Sequence, residues 1–351
     1  MQLSEMKLIT IPTASTEINA YGPIVVTPAS ATATNELTEA LRNENAGADT
    51  YNLTAVVDGI AYTLGQPSVT FENGKYYEIT AKLTKQTTID LSTVTTDITV
   101  PNGFTLTGTL DGAHKISIAD GATVTLDNVT IEGVHSDWYQ YAGITCLGNA
   151  TIILKDGTTN TVNGNAGGYP GIQAGAAGKT LTIKGTGSLN ASSGGSGAGI
   201  GGGYNIACGN IEIQNGNINA TGGNNAAGIG GGGNNYGDCG TIVISGGTVN
   251  ATGGNNGAGI GSCWYGDCTG ITISGGTVDA TGGQWAAGIG CGDYGTCGYI
   301  TIVNTVTRVT ATKQSSGSPQ CIGAGNSGTC GTVTIGGVVG AISTSPYTYQ
   351  P

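Results

Sequence analysis

Between Cys208 and Cys297 the chain alternates apolar and polar positions in three short runs, and the set of three then repeats. The units read CGNIEIQNGNINATGGNNAAGIGGGGNNYGD from Cys208, CGTIVISGGTVNATGGNNGAGIGSCWYGD from Cys239 and CTGITISGGTVDATGGQWAAGIGCGDYGT from Cys268, with lengths of 31, 29 and 29 residues. In the first unit the runs are marked by Ile211 and Ile213, by Ile218 and Ala220, and by Ala227 and Ile229. Such alternation is that of a strand with one buried face. Gly-Gly pairs such as Gly222–Gly223 and Gly246–Gly247 separate the runs and supply the bends. A unit of this size cannot bury its own apolar face and must stack on its neighbours, so the period predicts a solenoid. Three strands and three corners make one coil of a triangular prism, and successive coils pair in parallel about 4.8 Å apart. The glycine-free amphipathic runs that helices would need are missing. The fold class predicted is all-β, a parallel β-helix, right-handed because crossovers between parallel strands are.

The register is tight. An isoleucine, most often within Ala-Gly-Ile, recurs at Ile144, Ile172, Ile200, Ile229, Ile260, Ile289 and Ile322. The next cysteine follows Ile200, Ile260, Ile289 and Ile322 by eight residues, and Ile229 by ten. Seven such rungs would stack to roughly 34 Å at the strand spacing. Residues 89–135, with TIDLSTVTTDITVPNGFTLTG and HKISIADGATVTLDNVTIEG, read as coils formed before the glycine pattern settles, and they cap the first rung. A cap is required because an open rung is a bare sheet edge.

Residues 1–88 lack the repeat and alternate as strands broken by turns, a pattern that fits part of a β-sandwich. NELTEALRNENAGADT reads as a polar segment among them, and Asn73–Gly74 as a hairpin turn. The ending FENGKYYEITAKLTK, after DGIAYTLG, resembles the closing strands of fimbrillin-like domains, the pilin and adhesin subunits of gut-type Bacteroidetes. The resemblance implies a secreted, lipoprotein-derived surface protein, although the lipobox cysteine of such precursors is absent. Rungs of the form ISGGTVxATGGxxxAGIGGG are also similar to repeats of bacterial surface proteins described as carbohydrate-binding or β-helical. The two-part organisation expected is therefore a fimbrillin-like portion at 1–88 and a β-helix at 89–351, displayed on the cell surface or outside the cell.

Composition narrows the partners. The net charge is −11 with only 11 Lys plus Arg, which argues against nucleic acid and against acidic lipid surfaces, since both need basic clusters. No apolar run approaches membrane-spanning length. MQLSEMKLIT has no basic segment followed by an apolar one, so either a signal was removed or the frame starts inside a longer protein. Of nine cysteines, Cys208, Cys239, Cys268, Cys297 and Cys330 share one rung position. They fit a buried thiol ladder acting as small apolar filling. Disulfides between rungs or within Cys263–Cys268 are a second reading, and a metal site a third, with no histidine near to support it.

The sharpest candidate chemistry precedes each column cysteine. Tyr236, Tyr265 and Tyr294 are 29 residues apart and should stack, extended to Tyr204, with Trp264 alongside and Asp238, Asp267 and Asp293 lining the same edge. Planar aromatics beside carboxylates suit sugar rings, which present apolar C–H faces and outward hydroxyls. The functional reading is a glycan-binding edge, with a polysaccharide or a host or microbial glycan as partner. The structural reading is that the tyrosines only cover the corner. The acidic column is also a weak calcium candidate. A second edge carries Trp138, Tyr139, Tyr141, Tyr169, Ser196, Asn225, Asn256 and Trp285, where stacked asparagines form amide ladders. In EGVHSDWYQY, Glu132, His135 and Asp137 form the one catalytic cluster the sequence suggests, of a kind used in cleaving glycans. Thr221, Thr252 and Thr281 stack as in ice-binding arrays, but the second threonine column is interrupted. The Asn-Ala-Thr triplets at Asn219 and Asn250 lie inside strands, with Asp279 next in line, which favours a ladder over glycosylation.

Overall fold

The computed structural model describes residues 87–110, 114–133, 141–234, 237–314 and 319–351 in full, together with the strand backbone of the preceding segment. The chain divides into two units, 1–87 and 88–351.

In the first unit Glu36–Arg42 pairs antiparallel with Tyr76–Lys82, and Gly47–Thr50 with Ser68–Phe71. Thr54–Val57 and Ile60–Thr63 form a hairpin. The polar segment 35–50 contributes two of these strands, Glu36–Arg42 and Gly47–Thr50. The expected turn at Asn73–Gly74 lies between Ser68–Phe71 and Tyr76–Lys82, which pair with those two strands. Residues 72–75 themselves lie outside the described residues.

The second unit is an all-β parallel solenoid with three strands per rung. One face stacks nine short strands, from Ile98–Val100 and Ile116–Ile118 through Ile144–Cys146 to Ile322–Gly323. The second face includes Asn210–Ile213, Cys239–Ile244, Asp267–Ile273 and Thr296–Ile302, and the third Asn217–Thr221, Thr248–Thr252, Thr277–Thr281 and Arg308–Thr312. Every rung pairs in parallel with the next and in register: Ile229 with Ile260, Ile260 with Ile289, Ile289 with Ile322. Ala122–Ile131 is a continuous strand that turns the corner by itself, pairing with Ala150–Leu154 at one end and with Thr159–Asn163 at the other. Leu91–Thr93 forms a 3-10 turn capped by Asp90, and it buries Leu91 at the start of the stack.

The interior is a bundle of side-chain columns. Ile200, Ile229, Ile260 and Ile289 fill it from the short face, Ile242, Ile271 and Ile300 with Ile244, Ile273 and Ile302 from the second, and Val249, Val278 and Val309 with Ala251, Ala280 and Ala311 from the third; all are buried. The alanines let the third face approach closely, so three faces close round a core with no helix beside it. The rungs at Ile144 and Ile172 carry Thr145 and Gln173 after the isoleucine, but from Ile200 onward the position is glycine. Gly230, Gly261 and Gly290 hold φ of 130°, 136° and 138°, and a Cβ on them would stand within 2.0 Å of the carbonyl oxygen of the rung above.

Amide ladders run up the outside of the third face. Asn219 Nδ2 donates to Asn190 Oδ1, and Asn250 Nδ2 to Asn219 Oδ1, both at 2.9 Å. Asp279 continues the column and pairs with Arg308 at 2.7 Å. The last rung is covered by chain running the other way. Val338–Val339 pairs antiparallel with Thr329–Ile335, Tyr347–Tyr349 with Arg308–Thr312, and Ile342 bridges Ile322.

Candidate functional site

The corner between the short face and the second face holds most of the residues that the sequence singles out. Its five successive rungs place Asn205, Asn234, Tyr265, Tyr294 and Ser327 at one position, all in the left-handed region with φ between 52° and 77°. The backbone links these rungs directly: the N–H of Tyr265 donates to the carbonyl of Asp293 at 3.0 Å, and that of Tyr294 to the carbonyl of Asn326 at 2.9 Å. Left-handed φ suits Asn, whose short side chain bonds locally, and strains a bulky aromatic.

Tyr265 and Tyr294 stack face to face, with ring centroids 4.8 Å apart and planes 7° apart. The Trp264 indole meets Tyr265 edge-on at 4.8 Å. The tyrosines are 42% and 49% exposed, and Trp264 is half-buried.

Of the expected column, Tyr236 lies outside the described residues, and the placing of Tyr204 and of the aspartates differs from expectation. The rung between Ile229 and Cys239 is two residues longer than the next, and the register position beside Tyr265 goes to Asn234 at φ 77°. Tyr204 falls one position earlier, in line with Gly233 and Trp264, and its phenol oxygen accepts from Asn234 Nδ2 at 3.2 Å. The three aspartates do not share a column. Asp267 N–H donates to Asp238 Oδ1 at 2.8 Å, so these two stack, but the next member is Thr296. Asp293 sits in line with Trp264, buried, and its carboxylate accepts from Asn326 Nδ2 at 2.9 Å. Asp293 lies only 26 residues after Asp267, three short of the 29-residue repeat that leads to Thr296, so the slide from GDC to DYGTC takes it out of the Asp238–Asp267 column.

Two features were missed. The short strand is only two residues long in most rungs, so the two edges treated as separate adjoin. The carbonyl of Asn225 accepts from Trp264 N–H at 3.0 Å, and that of Trp285 from Asn326 N–H at 2.8 Å. Trp285, 39% exposed, therefore belongs to the rung of Tyr294, and its backbone adjoins Asn326 of the next rung. On the same edge Asn256 Nδ2 donates to Asn225 Oδ1, as the ladder reading requires. Neither Asn326 nor Ser327 stood out in the sequence. The signal that finds them is their register with Asp293 and Tyr294.

Elsewhere, Glu132 is exposed, whereas His135 and Asp137 lie outside the described residues, as do Trp138 and Tyr139. Among the described residues no group of three or more His, Cys, Asp or Glu side chains is placed to hold a metal ion, and no helix is long and apolar enough to cross a membrane. A shallow depression on the outer surface, lined by Asn149, Thr151, Thr180 and Thr182, lies apart from the aromatic corner.

The column cysteines stack as thiols, with Cys239, Cys268, Cys297 and Cys330 paired rung to rung. All nine cysteines are free, and only Cys330 is not fully buried. Burial pushes the thiols of Cys146, Cys263 and Cys291 up to about 12. At Cys239 the hydrogen bond with Cys268 pulls downward, but burial and neighbouring thiols outweigh it and leave the group at about 11. These are unreactive packing groups rather than nucleophiles.

Four stretches of the chain, residues 181–204, 211–233, 242–266 and 271–293, match a beta helix repeat family model. They are the rungs described above, and the class of protein is thereby that of the parallel β-solenoids. Comparison with curated proteins and with solved structures finds no significant match.

Proposed function

We propose that the solenoid is a glycan-binding scaffold of a surface-displayed, adhesin-like protein, and that its ligand meets the corner formed by Trp264, Tyr265 and Tyr294. The observation that carries this is the placing of two large, exposed aromatics in left-handed backbone. That conformation costs a non-glycine residue about 1–3 kcal/mol. Stacking of the pair offsets about 0.5–1.5 kcal/mol of it. The rungs on either side use Asn234 and Ser327, which meet the same backbone demand without exposing a ring. Folding alone therefore gives little reason for tyrosine at these two positions, and strain held in an exposed aromatic pair is the pattern of a binding surface. The fimbrillin-like ending of the first unit and an extracellular or cell-surface location belong to the same proposal.

Binding of soluble polysaccharides, followed by affinity electrophoresis and by melting temperature, tests it. At least one glycan should be retained by the wild type and released by Trp264→Ala combined with Tyr265→Asn, with the fold intact by circular dichroism. Equal retention of the double variant would sink the proposal. The alternatives are read in the same samples. A glycan-cleaving enzyme would generate new reducing ends or unsaturated products that Glu132→Ala abolishes, and a plain structural stalk would retain nothing.

A further inference from the structure

The stack uses up ring faces. Tyr265 and Tyr294 each turn one face to the other, and Trp264 occupies the edge of Tyr265. A glycan cannot lie across both tyrosine faces, as a simple ladder would suggest. Each tyrosine keeps an outward face: Tyr265 also has the Trp264 ring beside it, whereas the face that Tyr294 turns toward the next rung meets no further ring among the described residues. In that rung the position in line is Ser327, since Ile289 pairs with Ile322 and Cys297 with Cys330 at the same offset. Ser327 is exposed and brings a hydroxyl where a third ring would continue the stack.

From this geometry we infer that one pyranose ring of a neutral glycan takes the place above Tyr294, over Ser327, as the next layer of the stack; the inference rests on the glycan-binding reading above. A ring lying on an aromatic face takes about the height of one rung, about 4.8 Å. The surroundings match a sugar. Tyr294 supplies a floor for C–H contacts, the Trp285 backbone adjoins that of Asn326, and the Asn326 amide, hydrogen-bonded to the Asp293 carboxylate, fixes polar groups beside it. Charge selects the class. The corner segments 262–267 and 291–296 contribute Asp267 and Asp293, and neither they nor 324–329 contain Lys or Arg. Three basic side chains, Lys155, Lys179 and Arg308, are paired with Asp127, Asp120 and Asp279 on other surfaces. A uronate or sulfated chain would meet carboxylates with nothing to offset its charge, whereas hydroxyl-only sugars meet none of that repulsion.

The test fills the place. Ser327→Tyr puts a ring at a backbone position whose φ of 52° matches the 55° and 56° at which Tyr294 and Tyr265 are already held, so the stack should extend without unfolding the rung. Calorimetry with cellohexaose, laminarihexaose and mannohexaose, and with polygalacturonate as the anionic comparison, reads the result. At least one neutral hexaose should bind the wild type, weaken about tenfold or more in Ser327→Tyr and in Tyr294→Asn, and stay within about threefold in Ser327→Ala. Unchanged affinity in Ser327→Tyr, with loss in the Trp264/Tyr265 double variant, would overturn this placement and leave the glycan-binding reading standing. Tighter binding of polygalacturonate than of every neutral hexaose would overturn the ligand class. A wild type that retains no glycan of any kind would overturn both.

Discussion

A Cβ built on Gly261 would stand 1.8 Å from the carbonyl oxygen of Gly290. The residues are register partners in adjacent rungs, and no side chain, however small, fits between them. Gly261→Ala adds left-handed strain at φ 136° to that clash and should lower unfolding stability by about 3 kcal/mol or more. Denaturant titration checks this; a loss under about 1 kcal/mol would mean that the rung can open at this corner.

Tyr265→Asn should change stability by less than about 1 kcal/mol in either direction. The relief of left-handed strain and the loss of ring stacking are of similar size. Thermal unfolding of this variant beside Ile271→Ala gives the contrast, because Ile271 is fully buried and its truncation should cost about 2–5 kcal/mol. If Tyr265→Asn proved as damaging as Ile271→Ala, the tyrosine would be a structural member and the ligand argument would lose its basis.

The buried thiols predict alkaline lability. Their folded values lie above the ordinary thiol value, at about 11 for Cys239 and about 12 for Cys146, Cys263 and Cys291. The unfolded chain therefore releases protons first. Their contribution to stability is complete below about pH 8.5 and is lost as pH rises through the folded values. Each such thiol steepens the decline of stability by about 1.4 kcal/mol per pH unit at most. Cys146→Ala should flatten the curve measured between pH 9 and 11, and an identical slope in that variant would refute the coupling.

The Arg308–Asp279 pair is about 40% exposed on each side chain, at 42% and 37%. Its removal by Arg308→Gln should cost under about 1 kcal/mol and should matter less still in high salt. Asn250→Ala breaks a ladder bond on the same face and should cost about 1 kcal/mol independent of salt. Chemical denaturation at two ionic strengths separates the two; equal salt sensitivity would contradict the ladder reading.

The solenoid was legible because its signal is additive. Isoleucine, alanine and glycine recur at fixed offsets, and each offset maps to one side-chain column, as Ile229, Ile260 and Ile289 show. The corner was legible only in outline. Tyr265 and Tyr294 stack because no insertion separates their rungs, but two added residues in the preceding rung bring Asn234 into register with Tyr265, and a slide of a few residues carried Asp293 under Asn326. Corner loops escape the alternation that fixes strands, so their register follows backbone bonds that composition does not announce. In the first unit, the charged residues of Glu36–Arg42 give no alternation that marks a strand, and its pairing with Tyr76–Lys82 is long-range.

The reversed strands over the last rung have a consequence for assembly. A parallel stack whose repeat is self-complementary carries, at each terminal face, a template on which a second molecule could continue it. With Val338–Val339, Ile342 and Tyr347–Tyr349 laid antiparallel across all three faces, that template is occupied by chain of the wrong polarity for propagation. Where these segments pair, at Thr334–Ile335, Val309–Ala311 and Ile322, the parallel edge of the repeat is not open to a second copy.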